Sequence, residues 1–191
     1  MSADSARVCG ACSLCCTLLR VDELGKPGGT PCRNQCRDVP GCGIHVTRPS
    51  ICRAYRCLWL QGSLEQQDRP DRLGAVLDLR PVGESLRLEV KLAKPGGFDA
   101  SPRLRAIAER YRGSMPVRIT DLAAPLDPDA PFRVLLPNGE EQRVAGERVT
   151  LLREGRVVAE RRLPWLERRV RRLLLAWSGF RLRQAARRRG A

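Results

Sequence analysis

Cys9-Gly10-Ala11-Cys12-Ser13-Leu14-Cys15-Cys16 opens a series of nine cysteines that continues through Cys32, Cys36 and Cys42 and ends at Cys52 and Cys57. No cysteine follows in a chain of 191 residues. Thiols at such density imply either disulfides or a metal. Disulfide scaffolds belong to exported chains. Met1 to Val8 has no apolar run and no basic region leading into one, so it does not read as a signal peptide. An odd count would also leave one thiol unpaired. The metal reading therefore governs this first third. Large apolar side chains are sparse there, and coordination would supply part of the folding free energy.

The spacing refines the chemistry. Cys9, Cys12 and Cys15 are each separated by two residues, with Cys16 directly behind. Two intervening residues let backbone amides point at the sulfurs while both thiolates reach one centre. A paired CxxC is the usual knuckle of a tetrahedral zinc site. Three cysteines at successive spacings of this kind are more typical of a loop around an iron–sulfur cubane. Cys16 points differently from Cys15 and serves a second centre or is a spare. All nine cysteines are candidate ligands, and a [4Fe–4S]-type cluster is favoured slightly over Zn2+ because of the triple spacing and the surplus of thiols. Gly25-Lys26-Pro27-Gly28-Gly29 lacks the Gly-Lys-Ser/Thr ending of a phosphate loop and reads as a turn.

The later cysteines stand in Cys42-Gly43-Ile44-His45-Val46-Thr47-Arg48-Pro49-Ser50-Ile51-Cys52-Arg53-Ala54-Tyr55-Arg56-Cys57. Together with the CxxCxxCC opening, this stretch resembles the YkgJ-type cysteine cluster family, a zinc- or iron-chelating domain whose cluster is similar to one found in flagellin lysine methylases. The resemblance covers about the first 60 residues and implies metal binding without implying a reaction. Where the family has an aromatic residue after C-x-I, this chain has His45, its single histidine. The corresponding aromatic favours packing over ligation for His45, although Cys42-x2-His45 has ligand-like spacing. Arg48 and Arg53 are candidates for contact with the bound group, because guanidinium donors offset the negative charge of thiolate-rich centres. Tyr55, Trp59 and Leu60 are expected to form an apolar lid where the segment becomes helical.

The net charge of +14 is unevenly placed. From Arg161 to Ala191 there are eleven arginines and a single acid, Glu167. The basicity therefore belongs to the tail. Pro164 starts a helix expected over Trp165 to Trp177, with Leu166, Val170, Leu173, Leu174 and Trp177 on one face. That face is expected to pack on the rest of the protein; the alternative partner is anionic, a membrane surface or RNA. A protein partner is not legible. Removing residues 161–191 should leave the metal content unchanged, since no cysteine lies there.

Between these ends, Ala75 to Leu79 and Leu86 to Val90 alternate as a β-hairpin. Ser101-Pro102 starts a helix with Leu104, Ile107, Ala108 and Tyr111 on one face, ended by Gly113. Val117 to Ile119 is a further strand, and Asp121 to Pro131 is a linker. Phe132 to Leu136, Val149 to Leu152 and Val157-Val158 belong to three or four antiparallel strands. The expected fold is α+β. Residues 1–62 form a metal-stabilised lobe, 63–120 the remainder of the same domain, 132–160 an antiparallel extension, and 161–191 the basic amphipathic helix and tail. The expected function is a cytoplasmic metal-binding protein. The competing readings are a redox or methyl-transfer accessory enzyme and a zinc-stabilised nucleic-acid binder acting through the arginine-rich tail. No catalytic motif is recognisable.

Overall fold

The computed structural model describes residues 7–36, 38–121 and 130–188. The cysteine-rich segment holds two single-turn helices, α1 (Leu14–Leu18) and α2 (Ser50–Ala54), set among turns. A third short helix, α3 (Pro70–Leu73), ends at Gly74 with φ 72, a conformation open to glycine, and the chain enters the sheet there.

Seven strands pair in chain order to make one sheet. β1 (Ala75–Val82) and β2 (Ser85–Leu92) form the expected hairpin, in register from Ala75↔Leu92 to Val82↔Ser85. β2 then runs parallel to β3 (Val117–Asp121), which requires a crossover. The crossover is α4 (Gly97–Ala100) followed by α5 (Pro102–Arg112). The Ser101 hydroxyl accepts from the Leu104 amide at 3.2 Å and Pro102 occupies the first turn, so α5 begins where its residues dictate. β4 (Phe132–Leu135), β5 (Glu140–Ala145), β6 (Arg148–Arg153) and β7 (Arg156–Arg162) continue the sheet antiparallel. The expected extension over 132–160 is thus a continuation of the same sheet, joined at β3–β4. Residues 122–129 of the expected linker lie outside the described residues.

The two faces of the sheet differ. On one, Ala75, Leu77, Leu88, Val90, Val117, Ile119 and Leu135 meet Leu104, Ile107 and Ala108 of α5 in the main core. Leu58, Trp59 and Leu64 complete it, arriving round the free edge of β1, where the Leu58 amide donates to Leu77 O at 2.9 Å. The other face carries Val76, Asp78 and Arg80 of β1 opposite Lys91, Glu89 and Arg87 of β2. It receives the cysteine-rich segment at one end and the last helix at the other.

That helix, α6, spans Trp165–Arg188, eleven residues past the expected Trp177. It includes Arg187, and Arg189 lies outside the described residues. Its packing also corrects the expectation. Leu166, Val170, Leu173, Leu174 and Trp177 are exposed, at 47–62%. The packed side is another stripe: Leu175 is partly buried and Leu182 is buried at 4%. Arg171 stacks over Phe132 with 5.4 Å to the ring centroid, and Arg168 pairs with Glu147. Leu163 joins Val144 and Val149 in a small second core beneath the start of the helix. No helix among the described residues is long and apolar enough to cross a membrane.

Candidate metal centre

Local hydrogen bonds gather the thiols. Cys15 and Cys16 are successive on α1, about 100° apart, so their side chains leave the helix in different directions. The Cys32 amide donates to Cys16 O at 3.0 Å, and an isolated bridge pairs Gln35 with Cys42. The α2 turn that carries Cys52 is capped from a distance. Glu23 Oε1 accepts from the Ile51 amide at 3.1 Å and from the Ser50 hydroxyl at 2.8 Å. Arg7 stacks over Trp59 at 5.3 Å and donates to its carbonyl at 2.7 Å. The chain just before Cys9 is thereby held against the chain just after Cys57.

All nine cysteines are free thiols, each partly buried. Eight of them, Cys9, Cys12, Cys15, Cys16, Cys32, Cys42, Cys52 and Cys57, line one cavity of about 370 Å³ between α1, α2 and the β1–β2 face. Cys36 is outside it, beside Gly43. Of the two arginines expected at the site, Arg48 lines the cavity, whereas Arg53 is exposed on α2 and is not part of the lining. His45 lines the cavity but is exposed, which does not fit the expected packing role. Arg48 Nη1 donates to His45 Nε2 at 2.6 Å, which makes Nε2 an acceptor and engages it. Tyr55, Trp59 and Leu60 all line the cavity, as a lid should, but they follow α2 in extended and turn conformation instead of a helix.

The electrostatics separate the thiols into two neighbourhoods. Burial pushes the Cys12 and Cys57 thiols up, with Cys9 acting on both and Cys12 on Cys57. Burial also pushes up Cys42 and Cys52, on which Cys16 and Cys32 act. The two sets touch at the α1 pair. Cys15 and Cys16 share a side-chain hydrogen bond that raises Cys15, whose other thiol neighbours are Cys9 and Cys12. The same bond, aided by the positive charges of Lys26 and Arg48, lowers Cys16 to about 7 against the opposing effect of burial. Cys9, Cys12 and Cys57 thus lie to one side of the α1 pair and Cys32, Cys42 and Cys52 to the other, with Cys15 and Cys16 joining them.

Several residues of the site were missed in the sequence. Lys26, read there as part of a turn, is 6% exposed, and its ammonium donates to the carbonyls of Thr17, Leu19 and Pro27 at 3.0, 2.5 and 3.0 Å. Asp78 accepts on Oδ2 from Tyr55 Oη at 3.0 Å and from Lys91 Nζ at 2.7 Å, and all three line the cavity. Burial, and then the Asp78 charge, hold the Tyr55 phenol well above its ordinary value. Asp78 was legible in principle, as the one charge in the apolar run Ala75 to Leu79. Lys26 was legible as one of three lysines in a chain that otherwise uses arginine. The cavity wall is completed by Leu175 and Ser178 of α6. Arg20 donates to the Ser178 hydroxyl and, at 3.3 Å, to its carbonyl. The tail thus contributes Leu175 and Ser178, neither of them a thiol, to the cavity wall.

Among the described residues, no group of three or more Cys, His, Asp or Glu side chains converges closely enough to hold a metal ion as it stands. The chemistry of the wall nevertheless fits a thiolate-bound metal. Its donors are soft sulfurs. Arg48 Nε is buried with no hydrogen-bond partner among the described residues and is suited to a negatively charged acceptor. Compared with models of protein families, with curated proteins and with solved structures, the chain matches none.

Proposed function

We propose that this protein is a cytoplasmic metal-binding protein whose cysteine-rich lobe holds an iron–sulfur cluster, as the similarity of its first 60 residues to the YkgJ-type cysteine cluster implies. The observation that carries the reading is that eight of nine free thiols line a single cavity. Four thiolates are the full ligand complement of either a tetrahedral zinc or a [4Fe–4S] cluster. The eight lining thiols are enough for one such set of four with others to spare.

The triple spacing of Cys9, Cys12 and Cys15 and the surplus of thiols favour a cluster slightly over a single zinc ion. A bound cluster would supply one-electron chemistry at a potential set by burial and hydrogen bonding. Arg48 Nε would donate to the thiolate shell. Lys26 would place a positive charge beside Cys16 and Cys32 while fixing the α1 turn.

Thiol protection tests this reading. In anaerobically purified protein, iodoacetamide should modify Cys36 first and spare the other eight until a chelator is added. Equal modification of all nine before chelation would contradict a metal-bound cavity.

A further inference from the structure

We propose that α6 docks the protein on an anionic phospholipid bilayer, lying in the plane of the surface with its outward row in the lipid. This inference is independent of the metal reading, since it rests on the other side of the helix.

At about 100° per residue, α6 has two apolar stripes on nearly opposite sides. The inner one, through Leu175, Ser178 and Leu182, meets the protein. The outer one runs through Leu166, Val170, Leu173, Leu174, Trp177 and Phe180, and none of these is less than 47% exposed. Six large apolar side chains in one contiguous row exceed the scattered exposure normal for a free surface and mark an interaction site.

The surroundings of the row identify the partner. Arg169, Arg183 and Arg187 follow one edge, all exposed, and Arg181 stacks over Trp177 at 4.9 Å to the ring centroid. From Arg161 onward the chain carries eleven arginines against one acid. An apolar stripe bordered by cations matches the hydrocarbon boundary and phosphate layer of an anionic leaflet. Trp165, 69% exposed at the start of the helix, and Trp177 supply rings of the kind enriched at headgroup depth. RNA would use the arginines but gives Leu173, Leu174 and Val170 nothing to bury against. The helix cannot cross a bilayer, so docking is peripheral. With Leu175 and Ser178 forming the cavity wall, the cysteine cavity would lie one helix diameter, about 10 Å, from the lipid.

The test uses the full chain and sedimentation with vesicles of phosphatidylcholine containing about 30% phosphatidylglycerol, against pure phosphatidylcholine. Binding is expected to the anionic vesicles, weakening as salt rises, with a blue shift of tryptophan emission. The pair Leu173→Glu and Trp177→Glu, both on the solvent side, should keep the circular dichroism of the parent and lose at least about tenfold in vesicle binding. Val157→Glu with Val158→Glu, exposed on β7, should keep full binding. Four outcomes would overturn the proposal: no binding to anionic vesicles, equal binding to neutral ones, undiminished binding by the helix variant, or a concentration-dependent dimer that the helix variant abolishes. Single-stranded RNA binding that survives the helix variant, with no vesicle binding by the parent, would assign the arginines to nucleic acid instead.

Discussion

The Lys26 ammonium donates to the main-chain carbonyl of Thr17 at 3.0 Å from a position with 6% exposure. With Leu19 O it satisfies two carbonyls at the end of α1, where helix ends leave acceptors unpaired, and it also reaches Pro27 O in its own turn. Burial lowers its pKa, and the negative charges of Cys32, Cys16, Cys15 and Cys52 act in the opposite direction. Lys26→Met keeps the volume and removes the donors. It should cost about 1–3 kcal/mol in the metal-free protein and reduce metal retention, read by thermal unfolding and elemental analysis. Parent-like stability would show that the three carbonyls find other partners.

Asp78, Lys91 and Tyr55 form a polar cluster on the cavity side of β1 and β2. The Lys91 and Asp78 side chains are 12% and 10% exposed, so removing one leaves the other uncompensated. Asp78→Ala should destabilise by about 3–5 kcal/mol, and the pair Asp78→Ala with Lys91→Met by clearly less. Chemical denaturation of the four members of this cycle measures the coupling. Additive losses would mean that the two charges are solvated separately.

The acid limb of stability should depend on Asp68. Arg103 donates to both of its oxygens at 2.7 Å, and the Glu65 amide donates to Oδ2 at 3.0 Å. These bonds, with Arg103 the largest cause, hold the Asp68 carboxyl below its ordinary range although burial opposes them. A carboxyl depressed in the folded state stabilises above its unfolded pKa and loses that contribution as pH falls through the folded one. Asp68→Asn should therefore cost about 2 kcal/mol at neutral pH, with the difference from the parent shrinking below about pH 4. A difference independent of pH would assign the loss to packing alone.

His45 and Arg48 separate ligation from support. Because His45 Nε2 accepts from Arg48, His45→Tyr should keep full metal loading. Arg48→Met removes the donor aimed at the thiolate shell and should loosen the metal by about tenfold or more, measured by competition with a chelator. Metal loss in His45→Tyr equal to that in Cys12→Ser would make the imidazole a ligand.

Much of the fold was legible because it is written locally. The alternation of Ala75 to Leu79 and Leu86 to Val90 specifies the hairpin, and Ser101-Pro102 with Leu104, Ile107 and Ala108 specifies α5. What was not legible depends on contacts distant in sequence. The parallel pairing of Val90 with Ile119, and the pairing of Thr120 with Phe132 across the expected linker, have no local signature. α6 misled because its outer stripe is the more apolar one, while its inner stripe mixes Arg168, Arg171 and Ser178 with Leu175 and Leu182. Cysteine spacing marked all nine thiols as candidates and set only Cys16 apart. Only the turn between Cys32 and Cys42, which pairs the Cys36 amide with Gly41 O at 3.2 Å, shows why Cys36 stands apart.

The most direct measurement of the central claim is the iron, sulfide and zinc content of anaerobically purified protein, taken with its visible absorption spectrum. Brown protein containing iron and sulfide is the predicted result, with iron and colour reduced in Cys12→Ser and Cys52→Ser and retained in Cys36→Ser. Colourless protein that takes up neither iron nor zinc after reconstitution would contradict a metal centre in the Cys9–Cys57 lobe.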